Sequence, residues 1–383
     1  MINYVGNGES QNESFTIADD FLSWAVDYHK KSSDFKRRPI TTFLIDFITD
    51  LFLVKTSIAF VCVNFFFLFL IGFLISYLGQ LYGLSKRASL VSSVSFYLSF
   101  SILFGFFIPI ATYDEPVQYF LILISLIVLK KNKKNLFVIF LSIAIIARDN
   151  TLIILPAILF FLLGIDFKNI FQTKLKTIFK FVLVSLPVVV YALYLFWFYN
   201  EYPDAYDQAK EFLNKNRFGV YEKNFRNIGN MTRTFLSLSS VCLFPIVILC
   251  IYKKSNNFSN SDKRLINAFW LTLFINTGII LLSVYAEESR VFALPLLFVF
   301  PIFGKILAAI FQPSKAFFKF LIHPFRLGLI SLTSVFSWLA YNYLYSLTDI
   351  NSRDNFYVEY NVCIVLIIML IFLNRFFVRR LGV

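Results

Sequence analysis

The chain has 383 residues, of which 58% are hydrophobic and 15% charged, and its mean hydropathy is +0.70. Soluble domains carry about 25% charged residues, so this composition excludes a soluble enzyme, a disordered chain and a disulfide-stapled secreted module. The net charge is +13, which in so apolar a chain favours the cytoplasmic loops of a membrane protein over a nucleic-acid footprint. The sequence therefore predicts an all-α, polytopic helical membrane protein with no nucleic-acid partner.

Residues 1–55 are mostly polar and predict amphipathic helices at the membrane interface on the extracytoplasmic side. Phe21, Trp24 and Tyr28 recur at helical spacing and predict an aromatic face at headgroup depth. Pro39 predicts the start of a second apolar helix. Because no span precedes this segment, we expect both that an earlier helix is missing from the sequence and that the segment's basic residues bind an anion. The alternative is a cytoplasmic tail followed by one miscounted span.

Residues 56–383 form the predicted transmembrane domain. Apolar runs of about 20 residues, the length that crosses a bilayer, predict about 10 to 11 membrane helices. Clear spans are expected at 57–80, 88–110, 177–199, 233–252, 265–284, 291–311, 327–346 and 360–378, with a shorter one at 117–129. The apolar stretch 136–163 is interrupted at Arg148-Asp149-Asn150 and is either one long helix or a pair of short helices.

The loop charges favour the pair of short helices. With that pair, and with Lys86 and Arg87 inside, six inner segments hold 21 Lys or Arg and only two acidic residues. The outer segments within residues 56–383 hold 12 acidic residues. This distribution follows the positive-inside rule, whereas one long helix would move the Lys-rich loop 168–180 outside. The outer loop 200–232 is a candidate lid or acceptor-holding segment.

Four polar segments are predicted to meet at the outer face and contain the candidate functional residues. These residues are Asp19 and Asp20, Asp114 and Glu115, Arg148, and Glu287, Glu288 and Arg290. The carboxylates either act as a general base or bind a metal or a hydroxyl, or they only interact favourably with the dipole at helix N-termini. The arginines suit a phosphate, because a guanidinium pairs with two oxygens, or they form structural ion pairs.

In their order along the chain, these features resemble the GT-C superfamily of integral membrane glycosyltransferases. The resemblance covers most of residues 15–311. It rests on Ala18-Asp19-Asp20 through Arg38-Pro39, on Lys130–Lys134 followed by IAIIARDNTLIILPAILFF, and on Glu288-Ser289-Arg290 through Pro295. The family has a spanning helix before its first outer loop, which this sequence lacks.

The resemblance implies sugar transfer from a polyprenyl-phosphate-linked donor to a glycan, lipid or protein acceptor, outside a bacterial-type inner membrane. It places the base or metal ligand at Asp19 or Asp20. Whether a divalent metal takes part is left open. Arg148 and Arg290 would stabilise the leaving phosphate, and Asp114, Glu115, Glu287 and Glu288 would contribute to substrate binding. The alternatives are a cell-envelope polysaccharide polymerase or ligase, a transporter or flippase, and a structural subunit without chemistry.

Overall fold

The computed structural model describes residues 5–6, 16–17, 19–103, 113–164, 175–216, 219–252, 258–286, 288–310 and 355–381, with scattered positions between 324 and 339. Helices dominate these ranges. A two-residue antiparallel pairing joins β1 (Val5–Gly6) to β2 (Thr16–Ile17). Because helices make up nearly all of the secondary structure in these ranges, the predicted all-α class is confirmed.

The α-helices have the following bounds in chain order. They are α1 (Asp19–Lys31), α2 (Ser33–Lys36), α3 (Pro39–Phe52), α4 (Thr56–Leu81), α5 (Lys86–Tyr97), α6 (Phe100–Leu103), α7 (Glu115–Lys130), α8 (Lys134–Ala147), α9 (Leu155–Ala157), α10 (Leu175–Glu201), α11 (Pro203–Asn216), α12 (Gly219–Phe225), α13 (Ile228–Tyr252), α14 (Asn260–Ser283), α15 (Leu296–Ile310) and α16 (Asn355–Leu381). Tighter or wider helical turns occupy Asp149–Ile154 (3-10), Ile158–Leu162 (π) and Ser289–Phe292 (3-10).

Four of the described helices are long and apolar enough to cross a membrane, which makes the chain a membrane protein. They are Thr56–Leu81 in α4, Thr177–Glu201 in α10, Ile228–Cys250 in α13 and Asn260–Ser283 in α14. Shorter apolar helical segments of 10–17 residues accompany them at Lys134–Ala147, Asp149–Leu162, Leu296–Leu307 and Tyr357–Met369. These elements correspond to most of the spans predicted from the sequence.

Two predicted spans differ from the structure. The span expected at 88–110 is interrupted after Tyr97, where the Ser99 hydroxyl donates to the Phe96 carbonyl at 2.6 Å and competes with the helical backbone. Its last part, 104–110, lies outside the described residues. The helix expected from residue 291 begins only at Leu296, because Pro295 disfavours helical geometry at the residue before it. Most of the span predicted at 327–346 lies outside the described residues.

Helix α7 is the centre of the bundle. It packs against α4 and α8 and is buried along most of its length, as expected for a helix that is apolar all round. Close approach elsewhere depends on small residues. Gly304 of α15 lies so near α5 that an added Cβ would be 1.8 Å from the Ala88 carbonyl oxygen, and its amide donates to Ser92 Oγ at 2.8 Å.

The stretch 136–163 is a pair of short helical segments, as the loop charges predicted. Helix α8 ends at Ala147, Arg148 is extended (φ −160°, ψ 120°), and a 3-10 turn starts at Asp149. The chain then returns to the end from which it came, since Leu162 and Leu163 line one cavity with Asn132. We call α8 and residues 149–162 the re-entrant pair. The single-helix alternative is wrong.

The described bundle has two chemically distinct ends. Lys130, Lys134, Lys180 and Arg264 line neighbouring cavities at one end, here named the basic end. The break at Arg148 and the first residue of α7 lie at the opposite end. The cations around these cavities fit the predicted orientation, in which the basic end is cytoplasmic, although the opposite end also contains cations, namely Arg37, Arg38, Arg148 and Arg290.

The N-terminal helices pack on α4 and keep an apolar face exposed. Leu22, Ala25 and Val26 of α1 are buried in a cluster with residues of α3 and α4. Trp24 and Tyr28 stack on each other at 5.4 Å and are 52% and 37% exposed. Three large apolar residues of α3 are also exposed, namely Phe43, Phe47 and Leu51. This arrangement suits helices at a membrane interface.

Candidate active site

The end opposite the basic end contains a buried ion-pair cluster on one carboxylate. Glu115, the first residue of α7, is 1% exposed and pairs with Arg148 at the break of the re-entrant pair. The same oxygen, Oε1, lies 3.5 Å from Nε of Arg290, in the 3-10 turn after α14. Buried charges are costly unless they are paired, so the two cations and the carboxylate depend on each other. We call Asp114, Glu115, Arg148 and Arg290 the charged cluster.

Arg290 also has a partner nearer to solvent. Its Nε and Nη2 donate to Oε2 of Glu288 at 3.1 Å and 2.5 Å. The Glu288 side chain is 48% exposed, whereas that of Arg290 is 4% exposed. Glu288 therefore occupies the outer side of a buried guanidinium, the position from which an anion would approach. Glu287, its predicted companion, lies outside the described residues.

Asp114 is the second buried carboxylate of the charged cluster, and it lies just before α7. Among the described residues its carboxylate oxygens accept no hydrogen bond of ordinary geometry, although the Thr41 hydroxyl is near enough to favour the charged form. Burial raises the pKa of Asp114 to about 7, while Arg38 and Arg148 counteract that rise. A carboxylate with such a pKa can accept a proton at neutral pH.

A second set of ion pairs ties the N-terminal segment to the re-entrant pair. Asp149 accepts from Arg37 Nη2 and from Arg38 Nη2, both at 2.8 Å. Nearby, Lys30 pairs with Asp46 at 2.7 Å. Lys30, Arg37 and Arg38 therefore pair with carboxylates of the same chain, whereas we expected the basic residues of this segment to bind an anion.

Uncharged polar residues hold the break in place, and sequence reasoning did not assign them roles. Gln118 of α7 donates to Asn150 at 2.5 Å and to the Thr151 hydroxyl at 2.8 Å. Tyr119 donates to the carbonyl of Arg290 at 3.4 Å. All of them lie within four residues of charges that the sequence did single out, and that proximity was the available signal.

The structure does not bring Asp19 and Asp20 to the charged cluster. Asp19 accepts from Lys55 at 2.6 Å and from Ser57 at 2.5 Å, and the Lys55 hydrogen bond lowers the pKa of Asp19. Asp20 is exposed. The other end of α1 is nearer, because His29 stacks at 4.0 Å on Tyr113, the neighbour of Asp114. Ten residues of helix separate His29 from Asp19, about 15 Å.

The outer segment 200–232 is largely helical, and part of it is fixed to the segment that leads to Arg290. Asn224 of α12 donates to the carbonyls of Leu281 and Val284 at 3.2 Å and 2.9 Å, and accepts from the amide of Ala286 at 3.1 Å. Its predicted action as a lid stays a prediction. Within the described ranges, His, Cys, Asp and Glu form no group of three or more that could hold a metal ion.

No model of a protein family matches the chain, and no curated protein or solved structure matches it.

Proposed function

We propose that the chain is a membrane glycosyltransferase that moves a sugar from a polyprenyl-phosphate-linked donor to an acceptor hydroxyl. The charged cluster carries this proposal, since it places two buried arginines on Glu115 and a second buried carboxylate at Asp114. Ionisable residues among apolar helices are expensive and by default functional. The cluster lies opposite the basic end, so we place the reaction on the extracytoplasmic side, in a bacterial-type inner membrane.

The phosphate of the donor would bind at Arg290. Glu288 contacts the guanidinium through two hydrogen bonds and is half-exposed, so an incoming phosphate can take its place without uncovering the buried Glu115. Guanidinium–phosphate pairs use the same planar, two-point geometry as guanidinium–carboxylate pairs. Arg148, which contacts the same oxygen of Glu115, would keep the site positive enough to favour a leaving phosphate.

We assign the base to Asp114 because it is buried and its carboxylate oxygens accept no hydrogen bond of ordinary geometry within the described ranges. Its carboxylate would take the proton of the acceptor hydroxyl as the acceptor oxygen bonds to the anomeric carbon. The bond from that carbon to the phosphate oxygen then breaks, and the phosphate leaves with the electron pair. A base at Asp19 or Asp20 stays a prediction from family resemblance, but these residues lie away from the charged cluster.

Access from the lipid suits a donor with a polyprenyl chain. The exposed apolar residues of α3 and the Trp24–Tyr28 stack of α1 lie on the helices that adjoin the charged cluster. A lipid-linked donor could therefore approach within the membrane interface, with its phosphate at the level of Glu288. The acceptor, whether glycan, lipid or protein, would approach from the aqueous side.

Binding of a fluorescent short-chain polyprenyl phosphate to the full chain in nanodiscs tests this proposal. Arg290→Gln should weaken binding by about 10- to 100-fold, the usual size of a lost charge-assisted hydrogen bond. Arg87→Gln, an exposed cation at the basic end, is the matched control. Equal binding by both variants would refute the phosphate site. Preference for a diphosphate-linked glycan would favour a polymerase or ligase instead.

A further inference from the structure

Two neighbouring cavities open at the basic end, away from the charged cluster. The first has a volume of about 240 Å³ and is lined by Tyr82, Lys130 and Arg264. The second has a volume of about 580 Å³ and is lined by Lys134 and Lys180. Leu129, Asn132 and Leu162 belong to both linings, so the two cavities adjoin along one wall.

The cations of these cavities lack counter-ions from the described part of the chain. Lys130, Lys134 and Arg264 form none of its recorded ion pairs, and Lys180 donates only to the carbonyl of Gly164, at 3.2 Å. Asp262, an acidic residue of this end, instead accepts from Lys305 at 2.8 Å and from the Ser259 amide at 2.9 Å. Four positive groups therefore line the two cavities, and no carboxylate of the described ranges forms an ion pair with them.

Apart from Asn132 and Ser261, the remaining lining residues have apolar side chains. Besides the shared leucines, the linings include Leu126, Leu163, Leu183 and Phe179. The ammonium group of Lys130 lies 4.2 Å from the ring centre of Tyr82, and that of Lys134 lies 4.5 Å from the ring centre of Phe179. Aromatic rings thus hold two of the ammonium groups beside the leucines of the two linings.

We propose that these cavities form a binding site for an anionic glycerophospholipid of the leaflet next to the basic end. Its phosphate would lie among the four cations, and its acyl chains would follow the leucine walls into the bilayer. A basic cavity between membrane helices on the cytoplasmic side suits such a headgroup. Inorganic phosphate would satisfy the cations but leave the apolar walls uncovered. Lipid binding at this site does not require that the chain be a transferase.

The proposed lipid would brace the re-entrant pair. The lining joins the turn between α7 and α8, the end of the pair at Leu162, the start of α10 and the start of α14. A ligand that binds only this folded arrangement stabilises it by mass action. Arg148 lies at the far end of the same re-entrant pair, so the lipid would help to fix the geometry of the charged cluster.

Native mass spectrometry of the full chain tests the site, with phosphatidylglycerol as the anionic probe and phosphatidylcholine as the zwitterionic one. The double variant Lys134→Gln, Arg264→Gln removes one cation from each cavity. Each cation near a membrane surface contributes about fivefold to anionic-lipid affinity, so phosphatidylglycerol should bind about 30-fold more weakly. The matched double variant Lys86→Gln, Arg87→Gln removes two exposed cations that do not line the cavities and should retain wild-type affinity.

An equal loss in both double variants, or equal binding of the two lipids by the wild type, would overturn the proposal. A second measurement on the wild type does not depend on the folding of a variant. Phosphatidylglycerol should raise the unfolding temperature in low salt and do so progressively less as salt screens the cations. The same rise with inorganic phosphate alone, or a rise that is insensitive to salt, would contradict a phospholipid site.

Discussion

Nε of Arg290 lies 3.5 Å from Oε1 of Glu115, the same oxygen that Arg148 contacts. The contact joins the start of α7 to the turn that follows α14, and through Arg148 it reaches the break of the re-entrant pair. One buried carboxylate therefore fixes three separate segments of the described bundle. The proposed chemistry depends on that arrangement.

Replacement of Glu115 should destabilise the fold strongly. Glu115→Gln leaves two buried guanidinium groups without their shared anion, and loss of one partner from a buried pair costs about 3–5 kcal/mol. Asp46→Asn is the control, because the Lys30–Asp46 pair is 42% and 38% exposed and such pairs contribute less than about 1 kcal/mol. Denaturant unfolding in detergent measures both variants, and similar losses would show that the cluster is energetically unimportant.

Replacement of Asp114 should strongly slow the transfer of the sugar. If Asp114 is the base, Asp114→Asn should lower the rate by about 10²- to 10⁴-fold, with little effect on binding of a polyprenyl phosphate. Asp19→Asn is informative beside it, because Asp19 is paired with Lys55 away from the charged cluster. Rates of sugar release from a labelled donor, measured for both variants, show whether Asp114 or Asp19 is the base. A greater loss in Asp19→Asn would return the base to the position implied by family resemblance.

The raised pKa of Asp114 has a consequence for stability. The folded chain holds a proton on this group up to about pH 7, whereas the unfolded chain loses it near pH 4. Between those values the folded state binds more protons, so the free energy of unfolding should fall as pH rises, by at most about 1.4 kcal/mol per pH unit. Unfolding of the wild type and of Asp114→Asn from pH 4 to pH 8 checks this. The same slope in both proteins would exclude Asp114 as its source.

Asp149 should hold the N-terminal helices in place. Asp149→Asn removes the carboxylate charge that Arg37 and Arg38 share, so amide hydrogen exchange in α2 and α3 should become faster. Asp50→Asn, an exposed acid at the end of α3, should leave exchange unchanged. Unaltered exchange in Asp149→Asn would mean that apolar packing on α4 is sufficient to hold these helices.

Sequence patterns predicted the apolar helices well, because burial in lipid or in a bundle demands the same long apolar runs. Loop charge also predicted that the polar interruption at Arg148 separates two short helical segments and does not lie within one long helix. The ion pairs were harder to predict, since Glu115 and Arg290 meet only through the packing of α7 against neighbouring segments. Asp19 was selected by its position in an early acidic segment, and sequence could not show that Lys55 and Ser57 already bind it.

The interruption after Tyr97 illustrates the same limit. The run 88–110 is apolar enough to span, yet Ser99 bonds to the Phe96 carbonyl and α5 ends at Tyr97. Short polar side chains inside an apolar run have both helical and non-helical partners, and tertiary packing decides between them. Hydropathy averages over such residues and so cannot detect the break.

The most direct measurement is a structure of the full chain with a non-transferable polyprenyl-phosphate-sugar analogue in a lipid nanodisc. The proposed mechanism predicts that the analogue's phosphate replaces Glu288 on Arg290, with the anomeric carbon on the side of Asp114. An analogue whose phosphate lies away from both Arg290 and Arg148 would contradict the proposed active site.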